Sequence, residues 1–156
     1  MSSFTQKLLF PLVLTLFVIT AHSQVVTSIQ NGIWNDPATW SGGIVPTYLN
    51  ATQIVVDHEV VLPDAYAVSV YGLVVNNKLV LAGGTTLTIL EDAEGAPDLL
   101  VAGTLESEDS AALNGTTTLN TFFASGSVYI HRQGPLGFIP LATWDNKSTL
   151  EIAGFK

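Results

Sequence analysis

The chain contains no cysteine, which excludes a disulfide scaffold and any zinc site built on thiolates. Positive charge is scarce as well, with 5 Lys and Arg against 13 Asp and Glu and a formal charge of −8. Such a surface repels a phosphate backbone, so nucleic acid is not an expected partner. Charged residues make up only 12% of the 156 positions. Disorder is nevertheless excluded, because Val, Leu, Ile and Thr supply enough apolar surface to offset chain entropy. A G-x-S-x-G elbow, a P-loop, an H-E-x-x-H pair and a dinucleotide fingerprint are all absent. No catalytic residue is therefore assigned, and the reading leans against an enzyme. Helical periodicity is nearly missing after residue 24.

Residues 1–23 hold one cation, Lys7, then an apolar run over residues 8–20 interrupted by Pro11, then Ala21, His22 and Ser23. This order predicts a secretory signal peptide cleaved before Gln24. The run is well short of the roughly 20 residues a spanning helix needs, so the mature chain is expected to have no membrane span. The expected location is secreted, extracellular or at the cell surface. Without disulfides, stability there must come from packing.

What is present instead is a nine-residue unit of apolar strand, two-residue corner and apolar strand. It reads IVVDHEVVL from Ile54, LVVNNKLVL from Leu73, LLVAGTLES from Leu99, FFASGSVYI from Phe122 and a truncated LEIAGFK from Leu150. Spacings of roughly 20 to 30 residues suit stacked β units with loops of varying length. The fifth position holds His58, Asn77, Gly103, Gly126 and Gly154. These types tolerate positive φ best, which predicts a left-handed corner at the same point of every coil. Near-continuous apolar runs such as Leu73, Val74 and Val75 suit strands inside a solenoid. The expected fold is all-β, a parallel β-helix of about four to five coils over residues 54–156. A Greek-key sandwich is the alternative.

Residues 24–53 read as the N-terminal cap. Asp36 can accept backbone N–H bonds as an N-cap and Pro37 suits the first helical position, predicting one short capping helical turn. Trp34 and Trp40 would then cover the first coil. The fifth unit stops at Lys156 before its second strand, so the coils are expected to be incomplete at the C-terminus and to continue in a longer protein.

Two blocks carry a resemblance to a known family. The first is NGIWNDPATWSGGIVPTYLNATQIVVDHEVVL with YGLVVNNKLVLAGGTTLTI, and the second is SVYIHRQGPLGFIPLATWDNKSTLEIAG. They resemble the N-terminal module of large secreted Bacteroidota surface proteins and the related domain named for its eight glycines. The resemblance implies a right-handed parallel β-helix, with further modules and a sorting domain downstream. It also implies, through eukaryotic relatives connected with hyaluronan, polysaccharide as a ligand class. Asp57 and His58 stand where the family has Gly-His.

Several clusters are candidates for chemistry. Asp57, His58 and Glu59 are the densest ionisable group on a corner, but adjacent residues of an extended chain point to opposite faces and do not converge on one ion. Glu91, Asp92, Glu94 and Asp98 gather four carboxylates in a loop bent by Gly95 and Pro97, a candidate calcium site that does not match EF-hand spacing. No cofactor is required; calcium is the candidate ion, with a solvated insertion loop as the competing reading. Glu106, Glu108 and Asp109 form a second acidic patch, and His131 with Arg132 the only cationic pair. Trp34, Trp40 and Trp144 are candidate stacking faces for sugar rings, with core packing as the competing role. Sequons begin at Asn50, Asn114 and Asn146, and Asp109, Ser110 and Ala111 resemble a Bacteroidota O-glycosylation site. Together these readings predict a secreted or cell-surface, non-catalytic structural or adhesive β-helix module that meets cell-surface components. A polysaccharide-binding or polysaccharide-cleaving domain of hyaluronan or pectin type is the alternative.

Overall fold

The computed structural model describes residues 24–92, 97–134 and 137–154. The expected leader and Glu94 lie outside these described residues. The chain is a β-solenoid of parallel sheets. Its first rung holds β1 (Val25–Thr27) and β2 (Gly32–Ile33), followed by two 3-10 turns, Pro37–Thr39 and Ser41–Gly43. Three complete coils follow: β3 (Gln53–Val56), β4 (Glu59–Leu62) and β5 (Ala67–Val70); β6 (Gly72–Val75), β7 (Lys78–Leu81) and β8 (Thr86–Ile89); β9 (Leu99–Val101), β10 (Thr104–Ser107) and β11 (Ala112–Asn114). The stack goes on with β12 (Thr121–Phe123), β13 (Val128–His131), β14 (Thr143–Trp144) and β15 (Thr149–Ile152). Stacking gives a first sheet β1-β3-β6-β9-β12-β14, a second sheet β2-β4-β7-β10-β13-β15 and a third sheet β5-β8-β11. Every pairing between these strands is parallel.

Short β-branched stretches form these strands because one face of each has a core to enter. Burial alternates along most of them, buried at Ile54 and Val56 and partly exposed at Val55, so the apolar runs are not sealed on both faces. Val26, Ile54, Leu73 and Leu99 stack in register on the inward side, and all are 0% exposed. Segment 24–53 differs from a separate cap in one respect, since β1 and β2 already pair with β3 and β4 as a partial rung. Its cap chemistry is as expected: Asp36 Oδ1 accepts from Ala38 N–H at 2.9 Å with Pro37 opening the turn.

Two parts of the repeat are placed differently from the sequence expectation. The fourth unit is shifted, with Thr121 and not Phe122 opposite Leu99, because the corner of residues 124–127 is two residues longer than that between β9 and β10. The fifth unit belongs to another sheet. Leu150 pairs with Tyr129 in the second sheet, while the first-sheet strand of that coil is β14. Gly154 therefore lies beyond the second sheet and not at the predicted corner.

The predicted left-handed column at His58, Asn77, Gly103 and Gly154 is also corrected, since of the five positions only Gly126 has positive φ, at 81°. Side-chain bonds and crowding explain the residue types instead. Ser28 Oγ accepts from the backbone N–H of Asp57 (2.9 Å) and His58 (3.0 Å), and Asn76 Nδ2 donates to Asp57 Oδ1 at 2.8 Å. Asn77 Nδ2 donates to the Asp57 carbonyl at 3.2 Å. At Gly103 any Cβ would sit 2.0 Å from the Asn77 carbonyl oxygen, so the position is glycine for close approach between coils. A left-handed column does exist one corner further on, at Ala65 (φ 55°), Gly84 (φ 69°) and Ser110 (φ 61°), each three residues past the in-register positions Leu62, Leu81 and Ser107.

Candidate functional site

Three features among the described residues bring polar groups together, and the register of the second sheet builds the first two. Its outward face carries a ladder of opposite charges. Glu106 sits between Val80 and Ile130 in register, which puts Lys78 and Arg132 on the diagonals at either side, within reach of long side chains. Lys78 Nζ lies 3.1 Å from Glu106 Oε2 and 3.9 Å from Glu59 Oε1, and Arg132 Nε pairs with Glu106 Oε1. Burial pushes the Glu106 carboxyl up, but the bonds and charges of Arg132 and Lys78 outweigh it and hold the group below its ordinary 4.5. A carboxylate so depressed and claimed from both sides is a poor proton acceptor near neutrality. Its chemistry here is that of a brace tying three coils.

The inward face of the same strands turns polar in the third and fourth coils. Ser107 (0% exposed) lies opposite His131 (6%), and Tyr129 (1%) is two residues before it. Tyr129 Oη is 3.3 Å from His131 Nδ1 and also bonds to Ser107. Gln133 Nε2 donates to Ser107 Oγ at 2.5 Å and to the Ala111 carbonyl at 2.6 Å. Burial drives the Tyr129 phenol up, opposed by the Ser107 bond, and drives the His131 imidazole down. The four side chains form one interior seam.

The third feature is a cleft of about 800 Å³ beside the third sheet. Residues 137–142 pass this point without forming a strand, so β11 is the last strand of its sheet. The cleft is lined by Leu113, Asn114 and Gln133 together with Phe138, Ile139 and Leu141.

The sequence candidates fall elsewhere. Trp34 and Trp40 are 0% and 1% exposed, meet edge to face at 4.9 Å, and donate from Nε1 to the carbonyls of Pro46 and Trp34. They are core and present no stacking face, because the first rung closes over them. Trp144 is half-buried with one ring face stacked 3.9 Å from Phe123. His58 Nδ1 is 2.9 Å from the Ser28 carbonyl, so the Asp57, His58 and Glu59 cluster belongs to the corner. In the acidic loop, Asp98 is buried and its Oδ1 accepts from Asp92 N–H at 3.3 Å, while Glu91 and Asp92 are exposed. Burial, with the Asp92 and Glu91 charges adding to it, pushes the Asp98 carboxyl up against the bonds it accepts from Asp92 and Asn120. Among the described residues no three His, Asp or Glu side chains converge in metal-binding geometry.

A turn at the boundary between coils went unread in the sequence. Asn50 Nδ2 donates to the Val45 carbonyl while its Oδ1 accepts from Thr47 N–H, and Asn120 makes the same pair with the Gly115 carbonyl and Thr117 N–H. The signal was available as a Thr-x-Leu-Asn repeat at 47–50 and 117–120. Asn50, read as a sequon, is thus committed to its own turn.

Comparison with family models, curated proteins and solved structures found no match. Among the described residues no helix is long and apolar enough to cross a membrane. The class of protein is therefore defined by the fold, a parallel β-solenoid.

Proposed function

We propose that the chain works outside the cell or on its surface as a structural or adhesive β-helix module and not as a catalyst. The observation that carries this reading is the disposition of the titratable groups. Glu106 is neutralised by Lys78 and Arg132, and Ser107, Tyr129 and His131 are bonded to one another behind the sheet. A glycosidase of the usual kind needs two carboxyl groups flanking the scissile bond. The leader read in residues 1–23 and the resemblance to secreted surface modules support the location. The polysaccharide reading has less behind it, because two of its three tryptophan platforms are core residues.

The test is to express the full chain with its leader and follow both fate and activity. Export with an N-terminus at Gln24, together with no turnover across a panel of acidic and neutral polysaccharides, is the expected result. Turnover of any polysaccharide, or retention of an uncleaved chain in the cytoplasm, overturns the reading.

A further inference from the structure

The open edge of the third sheet has the chemistry of a socket for one more strand. Ala112 N–H donates to the Thr85 carbonyl at 2.7 Å, so the main chain of Ala112 faces β8. The N–H and C=O of successive strand residues alternate in direction, and those of Leu113 therefore face the other way, into the cleft. Just outside the strand the carbonyls of Ala111 and Gly115 accept from side-chain amides, Gln133 Nε2 (2.6 Å) and Asn120 Nδ2 (2.9 Å), and Ala111 N–H donates to the Glu108 carbonyl at 3.1 Å. Between them the N–H and C=O of Leu113 have no hydrogen-bond partner among the described residues. One donor and one acceptor on a single residue, with the rungs on either side closed, is what an extended peptide matches.

Side chains agree with the backbone. Val68, Leu87 and Leu113 form an inward column in register, buried at 7% and 0% for the first two and only partly buried at Leu113, where no further rung lies on it. The lining from Phe138, Leu141 and Ile139 is apolar and open, at 88%, 65% and 43% exposed. The cleft volume of about 800 Å³ is in the range of sites that hold a ligand. At the opposite edge of the same sheet one carbonyl, that of Ser69, accepts from Tyr48 N–H at 2.8 Å.

We propose that this edge takes an extended segment of a partner protein as an added strand, with alternating hydroxyl and aliphatic side chains. The pattern follows from β8, whose Thr86, Leu87 and Thr88 already pair with Ala112, Leu113 and Asn114 across the other edge. An aliphatic residue set over Leu113 continues the inward column, and its neighbours face outward. The proposal does not rest on the cellular location or on the absence of turnover, so its failure and the failure of that reading are separable.

The probe is a synthetic peptide with the sequence of residues 85–90 between terminal lysines, added to the full chain, with amide exchange followed residue by residue by NMR. At saturation the Leu113 amide is expected to exchange at least tenfold more slowly, while that of Ala112 is unchanged. Phe138→Lys and Leu141→Lys, on exposed positions that leave the strand intact, are expected to weaken binding at least fivefold without lowering the melting temperature. Four results overturn the proposal: an unchanged Leu113 amide, protection confined to β14 and β15, an equal response to a peptide carrying proline at its centre, or protection of Leu113 by a soluble polysaccharide and not by the peptide.

Discussion

At the N-terminal end of the stack Trp34 and Trp40 are sealed, each indole N–H is bonded to a carbonyl, and Tyr48 N–H donates to the Ser69 carbonyl on the first edge of the third sheet. At the other end Leu150 and Ile152 stand in register with Tyr129 and His131, yet they are 44% and 61% exposed, and Leu113 keeps an unmatched edge. Inward-facing apolar residues are thus buried at one end and solvated at the other. Being inward is a property of the strand, whereas being buried depends on the rung laid over it.

The largest test of this contrast is a pair of truncations. Trp34→Ala should cost about 3–5 kcal/mol in urea unfolding, as a fully buried aromatic does. Trp144→Ala, at the half-buried end, should cost less than half as much, and equal losses would erase the distinction between the two ends. In the middle of the stack, Gly103→Val should cost about 2–3 kcal/mol, since its side chain must displace the Asn76 and Asn77 carbonyls. Retained stability there would mean the coils can spread.

Smaller effects come from the charges. Glu106→Gln should lower stability by about 1–2 kcal/mol at neutral pH by weakening two charged hydrogen bonds. Because the folded-state value of Glu106 lies below its ordinary 4.5, its contribution is complete above that pH and is lost as pH falls through the depressed value. The Glu106→Gln curve should therefore converge on the parent only in strong acid. His131 gives the smallest signal, at a higher pH. Its folded-state value is lowered from 6.5 by burial, so the unfolded chain takes up a proton first and stability declines as pH falls below 6.5. In His131→Gln that portion of the slope should vanish from a melting-temperature series between pH 7 and 5.

The parallel stack and the capping turn were legible because each rests on local patterns: recurrent β-branched runs broken by Gly and Asn, and Asp36 with Pro37. The candidate sites were far less so. Glu106, Lys78 and Arg132 are separated along the chain, and only the pairing of β7, β10 and β13 makes them one ladder. The indoles of Trp34 and Trp40 read equally well as ligand platforms or as core until the fold placed them inside. The fifth unit was misassigned because LEIAG satisfies the apolar pattern of either sheet, and register is decided by pairing partners.

By its sequence alone this chain is committed to parallel β coils behind a tryptophan-bearing capping segment, since strand propensity, turn residues and repeat length act within a few residues of one another. Tertiary structure alone decided which glycines are needed for closeness and which corners turn left-handed. It also decided that one carboxylate is held by two cations and that Leu113 faces a cleft, because each depends on what the neighbouring coil brings across a gap of about 4.8 Å.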